Sequence, residues 1–185
     1  MTEKKHFRRV FSGVPLEDVL SEVVENEELF GSFPIRTSFP GSPHEYIKDI
    51  LLRGPEIRMG DSLEKLQNEL FCHNYSTMDN FPNLYHAVRT LMIAEWGTAL
   101  GRVIVTKLPP GGVIHRHKDE GDAAEEYDRY HIVLAGDNGN MFFINDEQEE
   151  MLPGDVWWVE NTELHWVENR GQEDRIHIVC DIFRG

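Results

Sequence analysis

The stretch RYHIVLAGDNGNMFFIND, residues 129–146, decides how the chain folds. It contains two short runs rich in β-branched and aromatic residues, RYHIVLAG and NMFFIND, with the turn-forming GDNGN where they meet. Such runs favour strands, and Gly, Asp and Asn favour the turns between them. The stretch therefore predicts two short strands joined by a turn.

The same pattern extends in both directions from Gly101 to the end of the chain. GRVIVTKL, DVWWVEN, LHWVEN and DRIHIVCDIF are further β-rich runs, and PPGG, LPGD and NRGQED are turn signals between them. Several short strands at this spacing are typical of a small sandwich or barrel, a class that includes the jelly roll. The second half of the chain is therefore predicted to be mainly β.

The first hundred residues predict helices instead. VPLEDVLSEVVENEELFG has apolar residues at helical spacing, with Pro15 near its start and Gly31 at its end. DSLEKLQNELF and FPNLYHAVRTLMIAEWG predict two more helices, whereas EYIKDILLRG is ambiguous and slightly favours a strand. We expect one domain over residues 1–185, with a helix-rich supporting segment at 1–100 and a β-rich catalytic or binding half at 101–185.

The charge of the chain argues against several kinds of partner. A formal net charge of −15 disfavours nucleic acid, because phosphate-backbone binding needs a basic surface, and it also repels anionic membranes. No apolar run is long enough to span a bilayer, and none follows the charged residues at the start of the chain. We expect a cytoplasmic protein that does not act on nucleic acid or at a membrane.

The segment IHRHKDEG, residues 114–121, carries the first candidate site residues. His115, His117 and Asp119 occupy alternate positions, and alternate side chains of an extended segment point the same way. His117 and Asp119 can therefore converge on one point, which could hold a metal ion or could be ordinary solvent. His115 is a possible competitor for the same metal.

Four segments carry ligand-capable polar residues on one face each. By strand alternation, the residues that share a face are His117 and Asp119; Arg129 and His131; His165 and Asn169; and Arg175, His177 and Asp181. These faces could be the solvated outside of a sandwich. However, a solvated face is usually rich in Lys, Glu, Thr and Ser, whereas two His and one carboxylate form the facial triad of non-haem Fe(II) oxygenases. His165 is the natural third ligand, since it belongs to a distant strand.

Arg175 is predicted to face the same side as His165. An inward-facing Arg must meet an anion, because a buried charge that has lost its partner costs about 3–5 kcal/mol. A ligand carboxylate could supply that charge through hydrogen bonds of roughly 1.5–3 kcal/mol each. Asp181 is the competing partner within the chain.

These residues together resemble a known family. In order, the pattern consists of Thr106, His117-x-Asp119, Arg129-x-His131, His165 with Asn169 four residues later, Arg175 ten residues after His165, and Asp181. It is similar to that of the aspartyl/asparaginyl β-hydroxylase family of Fe(II)/2-oxoglutarate-dependent oxygenases, over roughly Gly101 to Phe183. The resemblance implies a double-stranded β-helix core, which is a jelly-roll, cupin-like fold.

The resemblance also implies a cofactor and roles for single residues. It implies Fe(II) with 2-oxoglutarate and O2 as co-substrates, and His117, Asp119 and His165 as the catalytic metal ligands. Animal members lack a carboxylate at the position of Asp119, so this chain has the fuller triad. Arg175 is implied to pair with a carboxylate of 2-oxoglutarate.

Further co-substrate contacts are implied for Arg129, His131 and Thr106. His177 departs from the family, which usually has an aliphatic residue at that position, and it receives no role. The expected activity is hydroxylation of an amino-acid or a peptide or protein side chain. The alternatives are a cupin-type metalloenzyme that does not use 2-oxoglutarate, in which Arg175 pairs with Asp181 or a surface carboxylate, and a metal-free jelly-roll binding module with its histidines outside.

Overall fold

The computed structural model describes residues 5–38, 41–57 and 61–185. In chain order the elements are β1 Phe7–Phe11, α1 Glu17–Glu25, a 3₁₀ turn Glu27–Leu29, β2 Lys48–Gly54, α2 Leu63–Asn68, β3 His73–Asn74, a 3₁₀ turn Ser76–Asn80, α3 Pro82–Ala94, β4 Ala99–Leu108, β5 Val113–His117, α4 Asp122–Glu126, β6 Asp128–Ala135, β7 Asn140–Ile144, β8 Glu147–Glu150, β9 Val156–Val159, β10 His165–Asn169 and β11 Arg175–Phe183. The predicted helices and β-rich runs are confirmed, and EYIKDILLRG forms a strand.

The strands form two antiparallel sheets in the described part of the chain. One has seven strands in the order β1-β9-β6-β11-β4-β2-β3, and the other has four in the order β5-β10-β7-β8. Strands that are distant in the sequence are neighbours in each sheet, as they are in a jelly roll. The predicted mainly β, jelly-roll class is confirmed.

Both faces of the seven-stranded sheet are covered. On one face, Ile132, Ile178 and Cys180 join the residues of α1 and α3 in a single apolar core. On the other face, Val133 joins Phe142, Val167 and residues of the four-stranded sheet in a second core. A strand with a solvated outer face buries only alternate residues. Here helices cover the face that points away from the sandwich interior, so the strands bury residues on both faces.

Polar side chains of β6 and β11 are buried inside the protein. His131, Arg175, His177 and Asp181 are all buried, at 6%, 1%, 0% and 2% exposure. They lie on the face opposite the helix-covered one, between the two sheets. The alternative in which these histidines lie on a wet outer surface is therefore wrong.

The helices are joined to each other by a buried carboxylate. Glu22 of α1 accepts hydrogen bonds from the backbone N–H groups of Asn83 and Leu84, at 2.7 and 2.9 Å. These N–H groups belong to the first turn of α3, where no helical partner exists and negative charge is favoured. The contact orients the helical layer that backs the seven-stranded sheet.

The first hundred residues also contribute strands, of which β2 was expected from EYIKDILLRG and β1 was not predicted. β1 pairs with β9, and β2 pairs with β4. The β1 sequence FRRVF hides its strand character because the adjacent Arg8 and Arg9 break the alternation of polar and apolar residues. Charged residues are well tolerated on such an edge strand, since they also discourage pairing with other chains. No helix in the described residues has both the length and the apolar character needed to cross a membrane.

Candidate metal centre

A bulge in β5 aims His117 into the sandwich. In the pairing with β10, His117 lies opposite His165 and Ile114 opposite Val167, so β5 has one residue more than its partner. A bulge of this kind changes which side chains face inward. Ile114 and His117 therefore face the interior, whereas His115 is exposed and contacts Glu45 at 3.0 Å. His115 does not compete for the metal, contrary to the possibility raised by strict alternation.

His117, Asp119 and His165 converge on one point. One potential ligand atom from each lies within 4.8 Å of the other two. The imidazole rings of His117 and His165 are 4.2 Å apart between centroids, and His117 Nε2 lies 3.6 Å from Asp119 Oδ1. Two imidazole nitrogens and a carboxylate oxygen at these separations match a facial arrangement around a divalent metal.

Each histidine is oriented by a hydrogen bond to the backbone carbonyl group two residues before it. His117 Nδ1 lies 2.7 Å from the carbonyl oxygen of His115, and His165 Nδ1 lies 2.9 Å from that of Glu163. A carbonyl can only accept, so each Nδ1 carries the proton and each Nε2 keeps its lone pair. Metal-ligating histidines are usually fixed through their second nitrogen in this way.

Burial keeps the two imidazoles neutral. Loss of solvation, with a smaller electrostatic contribution from the neighbouring His165, lowers the pKa of His117 to about 4. Burial also lowers the pKa of His165. Since a metal binds only the neutral imidazole, both side chains are ready to bind at neutral pH.

Asp119 is held as a carboxylate by its neighbours. Its Oδ2 accepts from Arg129 Nη1 and, at 3.2 Å, from Asn161 Nδ2. Burial alone would raise the pKa of Asp119, but the attraction of Arg129 and of the imidazoles outweighs it and holds the pKa well below its usual range. Oδ1, on the side of His117, is left as the metal-facing oxygen.

Arg129 has a different environment from the one expected of a co-substrate contact. Its Nε and Nη2 donate to the two oxygens of Asp181 at 2.8 and 3.0 Å, and its Nη1 donates to Asp119. Desolvation would lower the pKa of Arg129, but the two carboxylates raise it further above its normal value. Asp181 is therefore the partner of Arg129, and this pairing favours a role for Arg129 in holding Asp119.

Arg175 is the most deeply buried cation of the site. Its Nε donates to Asn140 Oδ1 at 2.7 Å, and its Nη2 lies 3.0 Å from His177 Nδ1. Nη1 has no hydrogen-bond partner, and no carboxylate contacts the guanidinium, among the residues that the structure describes. Burial without a counter-charge lowers the pKa of Arg175 to about 9.

The residues predicted for the site share one inner pocket between the sheets. Its lining includes Thr106, His117, Asp119, Arg129, His131, His165 and Arg175. Three more buried polar atoms of this pocket, Thr106 Oγ1, His131 Nδ1 and His44 Nδ1, have no hydrogen-bond partner in the described part of the chain. Buried polar atoms are rarely left unpaired, so four of them around one pocket indicate a polar ligand. The pocket is narrow, at about 40 Å3.

Several polar residues of the site were not predicted, and one of them is Asn161, which donates to Asp119. Asn140 and His177 contact Arg175, and their side chains lie 2.9 Å from each other. Asn140 alternates with Phe142 and Ile144 on β7, and a polar residue in such a buried series was the available signal. His44 lies with its ring 4.8 Å from that of His117, in a segment with no recognisable pattern.

The acidic segment 120–128 contains the short helix α4. Ala123 and Ala124 of α4 are buried, and the backbone N–H of Asp122 donates to Asn68 of α2 at 3.1 Å. Tyr127 donates to the carbonyl of Leu70 at 2.8 Å. These contacts attach the segment to the helical residues before β3.

A sequence model of the family described as aspartyl/asparaginyl beta-hydroxylase matches residues 66–185. The chain belongs to the aspartyl/asparaginyl β-hydroxylase family. The match begins upstream of Gly101 and takes in β3 and α3, so the family likeness is longer than the strand pattern indicated. Membership identifies the chain as an oxygenase of the hydroxylase type.

Solved structures share the fold of this family member. An oxidoreductase of the 2OG-Fe(II) oxygenase family from Burkholderia pseudomallei is 16% identical, with 100% of this chain and 96% of that chain covered at a TM-score of 0.54. A prolyl hydroxylase from Trichoplax adhaerens, in complex with a hypoxia inducible factor oxygen degradation domain peptide fragment, is 13% identical, with 97% and 84% covered at a TM-score of 0.62. The structural overlap over nearly the whole chain shows a common fold, although the sequences are dissimilar.

One curated relative shares a shorter segment. An oxalate-binding protein from Thermotoga maritima is 35% identical over 68 residues, which are 37% of this chain and 50% of that protein. The chain therefore spans about half the length of the curated relative that it matches.

Proposed function

We propose that this family member is an Fe(II)- and 2-oxoglutarate-dependent hydroxylase of an amino-acid or a peptide or protein side chain. His117, Asp119 and His165 are the proposed iron ligands, and Arg175 is the proposed partner of a 2-oxoglutarate carboxylate. The observation that carries the proposal is the unpaired Nη1 of Arg175 in the same pocket as the three ligands.

The residues of the pocket fit an iron ion and a dicarboxylate. The donor set is two neutral imidazoles and one ionised carboxylate, which suits Fe(II) and leaves coordination positions open. Among the unpaired polar atoms, Arg175 Nη1 supplies a cation for a carboxylate that has left water, and Thr106 Oγ1 and His131 Nδ1 supply neutral hydrogen-bonding groups. When bound, the iron and 2-oxoglutarate supply the oxidising chemistry, in which O2 is consumed, the co-substrate becomes succinate and CO2, and one oxygen atom is inserted into a substrate C–H bond.

The side chains of the protein bind, orient and shield the reactants. Arg175 binds the distal charge of the co-substrate, while Thr106 and His131 offer the nearest polar groups. Arg129 and Asn161 fix the carboxylate of Asp119, so that its free oxygen faces the metal position. The apolar lining residues Ile114, Phe142, Val159, Val167 and Val179 keep water out of the pocket.

Anaerobic titration with Fe(II) and 2-oxoglutarate tests this function. We expect a weak visible charge-transfer band that saturates at one equivalent of each. His165→Ala should remove the band, whereas Arg175→Met should weaken 2-oxoglutarate binding and leave metal affinity unchanged. A folded wild-type protein that shows no band and forms no succinate from 2-oxoglutarate would refute the proposal.

The cupin-type alternative has one observation in its favour and one against it. The Thermotoga maritima relative is named for binding oxalate, which requires no 2-oxoglutarate chemistry. However, that alternative expected Arg175 to pair with Asp181 or a surface carboxylate, and Asp181 is bound by Arg129 instead. Metal-dependent oxalate binding without succinate formation from 2-oxoglutarate would favour the alternative.

A further inference from the structure

A second, larger cavity lies beside the metal centre. Its volume is about 430 Å3, within the range of small-molecule sites. The residues that line both this outer cavity and the inner pocket are Arg36, His44, His117, Asp119 and Arg129. A group in the outer cavity therefore lies against two of the three proposed metal ligands, where the reacting part of a substrate has to be.

The large sheet provides one aliphatic wall of the outer cavity. Leu51 of β2 and Ile104 of β4 line the cavity and are cross-strand partners. Their strand neighbours Ile50 and Val105 belong to the core on the helix-covered face. Because successive side chains of a strand alternate between its two faces, Leu51 and Ile104 point away from the helices. They form a continuous apolar surface on the inner face of the sheet.

Further apolar groups come from the segments around this wall. They are Ile35, Pro43, Pro55, Ile57 and Ala124. Two of these segments are fixed by hydrogen bonds to their carbonyl groups. The carbonyl of Pro43 accepts from the backbone N–H of His115 at 2.9 Å, and that of Pro55 accepts from the Tyr75 hydroxyl at 2.6 Å. A preformed apolar surface favours a hydrocarbon group, because contact removes both from water.

The two most firmly held cations of the cavity wall already have carboxylate partners. Arg36 donates two hydrogen bonds to Asp49, at 2.8 and 3.0 Å. Arg129 donates to both oxygens of Asp181 and to one oxygen of Asp119. Neither guanidinium is therefore available to a ligand carboxylate.

The other two cations of the wall also face carboxylates. Arg102 Nη1 lies 3.8 Å from Asp181 Oδ2, and Arg102 is not a free cation. Lys118 Nζ lies 3.8 Å from Glu163 Oε2. Within the part of the chain that the structure describes, the four cations of the wall are thus matched by four carboxylates, those of Asp49, Asp119, Asp181 and Glu163.

This pairing disfavours a carboxylate on the group that enters the cavity. To reach Arg36, for example, a ligand carboxylate has to displace Asp49, which is only 4% exposed. A buried carboxylate that has lost its partner is strongly destabilising, and a ligand carboxylate that stays unpaired loses its hydration without compensation. A hydrocarbon group carries neither cost.

We propose that the outer cavity binds an uncharged aliphatic group of the primary substrate and holds it on Leu51 and Ile104 against the metal centre. The inference rests on the proposed hydroxylase function and narrows its substrate class. It favours an aliphatic group over the aspartate or asparagine side chain for which the family is named. Aliphatic groups occur in free amino acids and in peptide residues, and the experiment distinguishes these two sources.

Side chains of matched size test the inference. The probes are the α-amides of N-acetyl-L-leucine, N-acetyl-L-asparagine and N-acetyl-L-aspartate, together with free L-leucine. Nuclear magnetic resonance titration of the metal-free wild-type protein, with labelled isoleucine and leucine methyl groups, measures binding without turnover. We expect the leucine amide to bind roughly 10- to 100-fold more tightly than the other two amides, because it alone buries a hydrocarbon side chain. It should shift the methyl signals of Leu51 and Ile104.

Free L-leucine identifies the source of the aliphatic group. Tighter binding of free L-leucine than of its N-acetyl amide would assign the cavity to a free amino acid, and the reverse order would assign it to a residue within a peptide. Both orders support an aliphatic occupant. The tightest probe should also stimulate succinate formation by wild-type protein supplied with Fe(II) and 2-oxoglutarate.

Variants of the wall assign the preference to its residues. Leu51→Asn keeps the size of the side chain and should weaken binding of the leucine amide at least about tenfold, whereas Leu51→Met should retain most of the affinity. Leu152→Asn is the matched control, because Leu152 is exposed and does not line the cavity. Asp49→Asn leaves Arg36 without its carboxylate, so it should improve binding of the aspartate amide about tenfold. The methyl spectra show whether each variant is folded.

Several outcomes would overturn the inference. These are equal or tighter binding of the asparagine or aspartate amide to wild-type protein, unchanged affinity for the leucine amide in a folded Leu51→Asn variant, and no gain for the aspartate amide in Asp49→Asn. Methyl shifts in the helical core, at Leu84 for example, without shifts at Leu51 and Ile104 would also overturn it. Wild-type protein that shows the expected binding preference but forms no succinate would instead refute the hydroxylase function.

Discussion

At the scale of single residues, the neutral surroundings of Arg175 are the most informative feature. Asn140 and His177 hold its guanidinium, and burial keeps the pKa of His177 well below its ordinary value, so neither partner carries a compensating charge. The full positive charge of Arg175 is thus reserved for a ligand. His177, which departs from the family pattern, becomes a positioning residue in this account.

Replacing His177 by leucine should weaken co-substrate binding selectively. The change removes a hydrogen-bond partner of a charged group, an interaction of about 1.5–3 kcal/mol. We expect the KM for 2-oxoglutarate to rise about tenfold or more, with kcat within about twofold and metal affinity unchanged, in a steady-state succinate assay. Ile176→Val on the same strand is the control. An unchanged KM would contradict the positioning role.

Removing Arg129 should affect both stability and metal binding. Asp181 would stay buried without its main partner, so Arg129→Met should lower the free energy of unfolding by about 3 kcal/mol in urea titrations. The double variant Arg129→Met/Asp181→Leu should recover much of that stability. Both variants should bind the metal more weakly than wild type, because Asp119 has lost its hydrogen bond from Arg129. Recovery of metal affinity in the double variant would show that Arg129 does not position Asp119.

At the scale of elements, the bulge in β5 decides whether the metal centre forms. Ile114 and His117 are three positions apart, and in a regular strand this odd spacing would place them on opposite faces. The additional residue between them keeps both side chains facing the interior. The pairing of β6 with β11 is regular around the centre, where Arg129 and His131 lie opposite Asp181 and Val179, and its register shift lies further along, at Ile176 and His177.

Deletions in β5 test the bulge. Deleting His115 alone leaves only Arg116 between Ile114 and His117, opposite Trp166, so both side chains still face inward and iron binding should stay within about tenfold of wild type. Deleting His115 and Arg116 together shifts the alternation by one more residue and should turn His117 outward, so that metal affinity falls at least about 100-fold. Iron titration with circular dichroism checks both variants. Equal affinities in the two would contradict the role of the bulge.

The regular elements could be predicted from the sequence, and the irregular ones could not. The alternation of Arg175 and His177 along β11 was readable because a regular strand repeats every two residues. The bulge before His117 depends on pairing with β10, and the bond between Arg129 and Asp181 depends on the register of β6 against β11. Such pairing is a property of the whole sheet and leaves no mark in the local sequence.

At the scale of the whole molecule, several neutral imidazoles are enclosed between the sheets. Burial lowers the pKa of His44, His131, His165 and His177 as well as that of His117. In the unfolded chain these groups bind protons near pH 6.5, whereas in the folded protein they stay neutral to lower pH. Between these values the unfolded state binds more protons, so stability must fall as the pH falls.

The metal-free protein should therefore lose stability between about pH 6.5 and pH 4. With a pKa of about 4 in the folded state, His117 alone accounts for a loss of about 2 kcal/mol between pH 7 and pH 5. Urea unfolding at the two pH values measures the loss. His117→Gln should reduce it, and His86→Gln on the exposed side of α3 serves as the control. Equal stability at both pH values would contradict the neutral, buried state of these histidines.

A crystal structure of the protein soaked anaerobically with Fe(II) and 2-oxoglutarate would show the proposed centre itself. We expect one anomalous iron peak bonded to His117 Nε2, Asp119 Oδ1 and His165 Nε2, with a carboxylate of 2-oxoglutarate on Arg175 Nη1. Iron bound elsewhere, or a co-substrate that leaves Arg175 Nη1 unpaired, would contradict it.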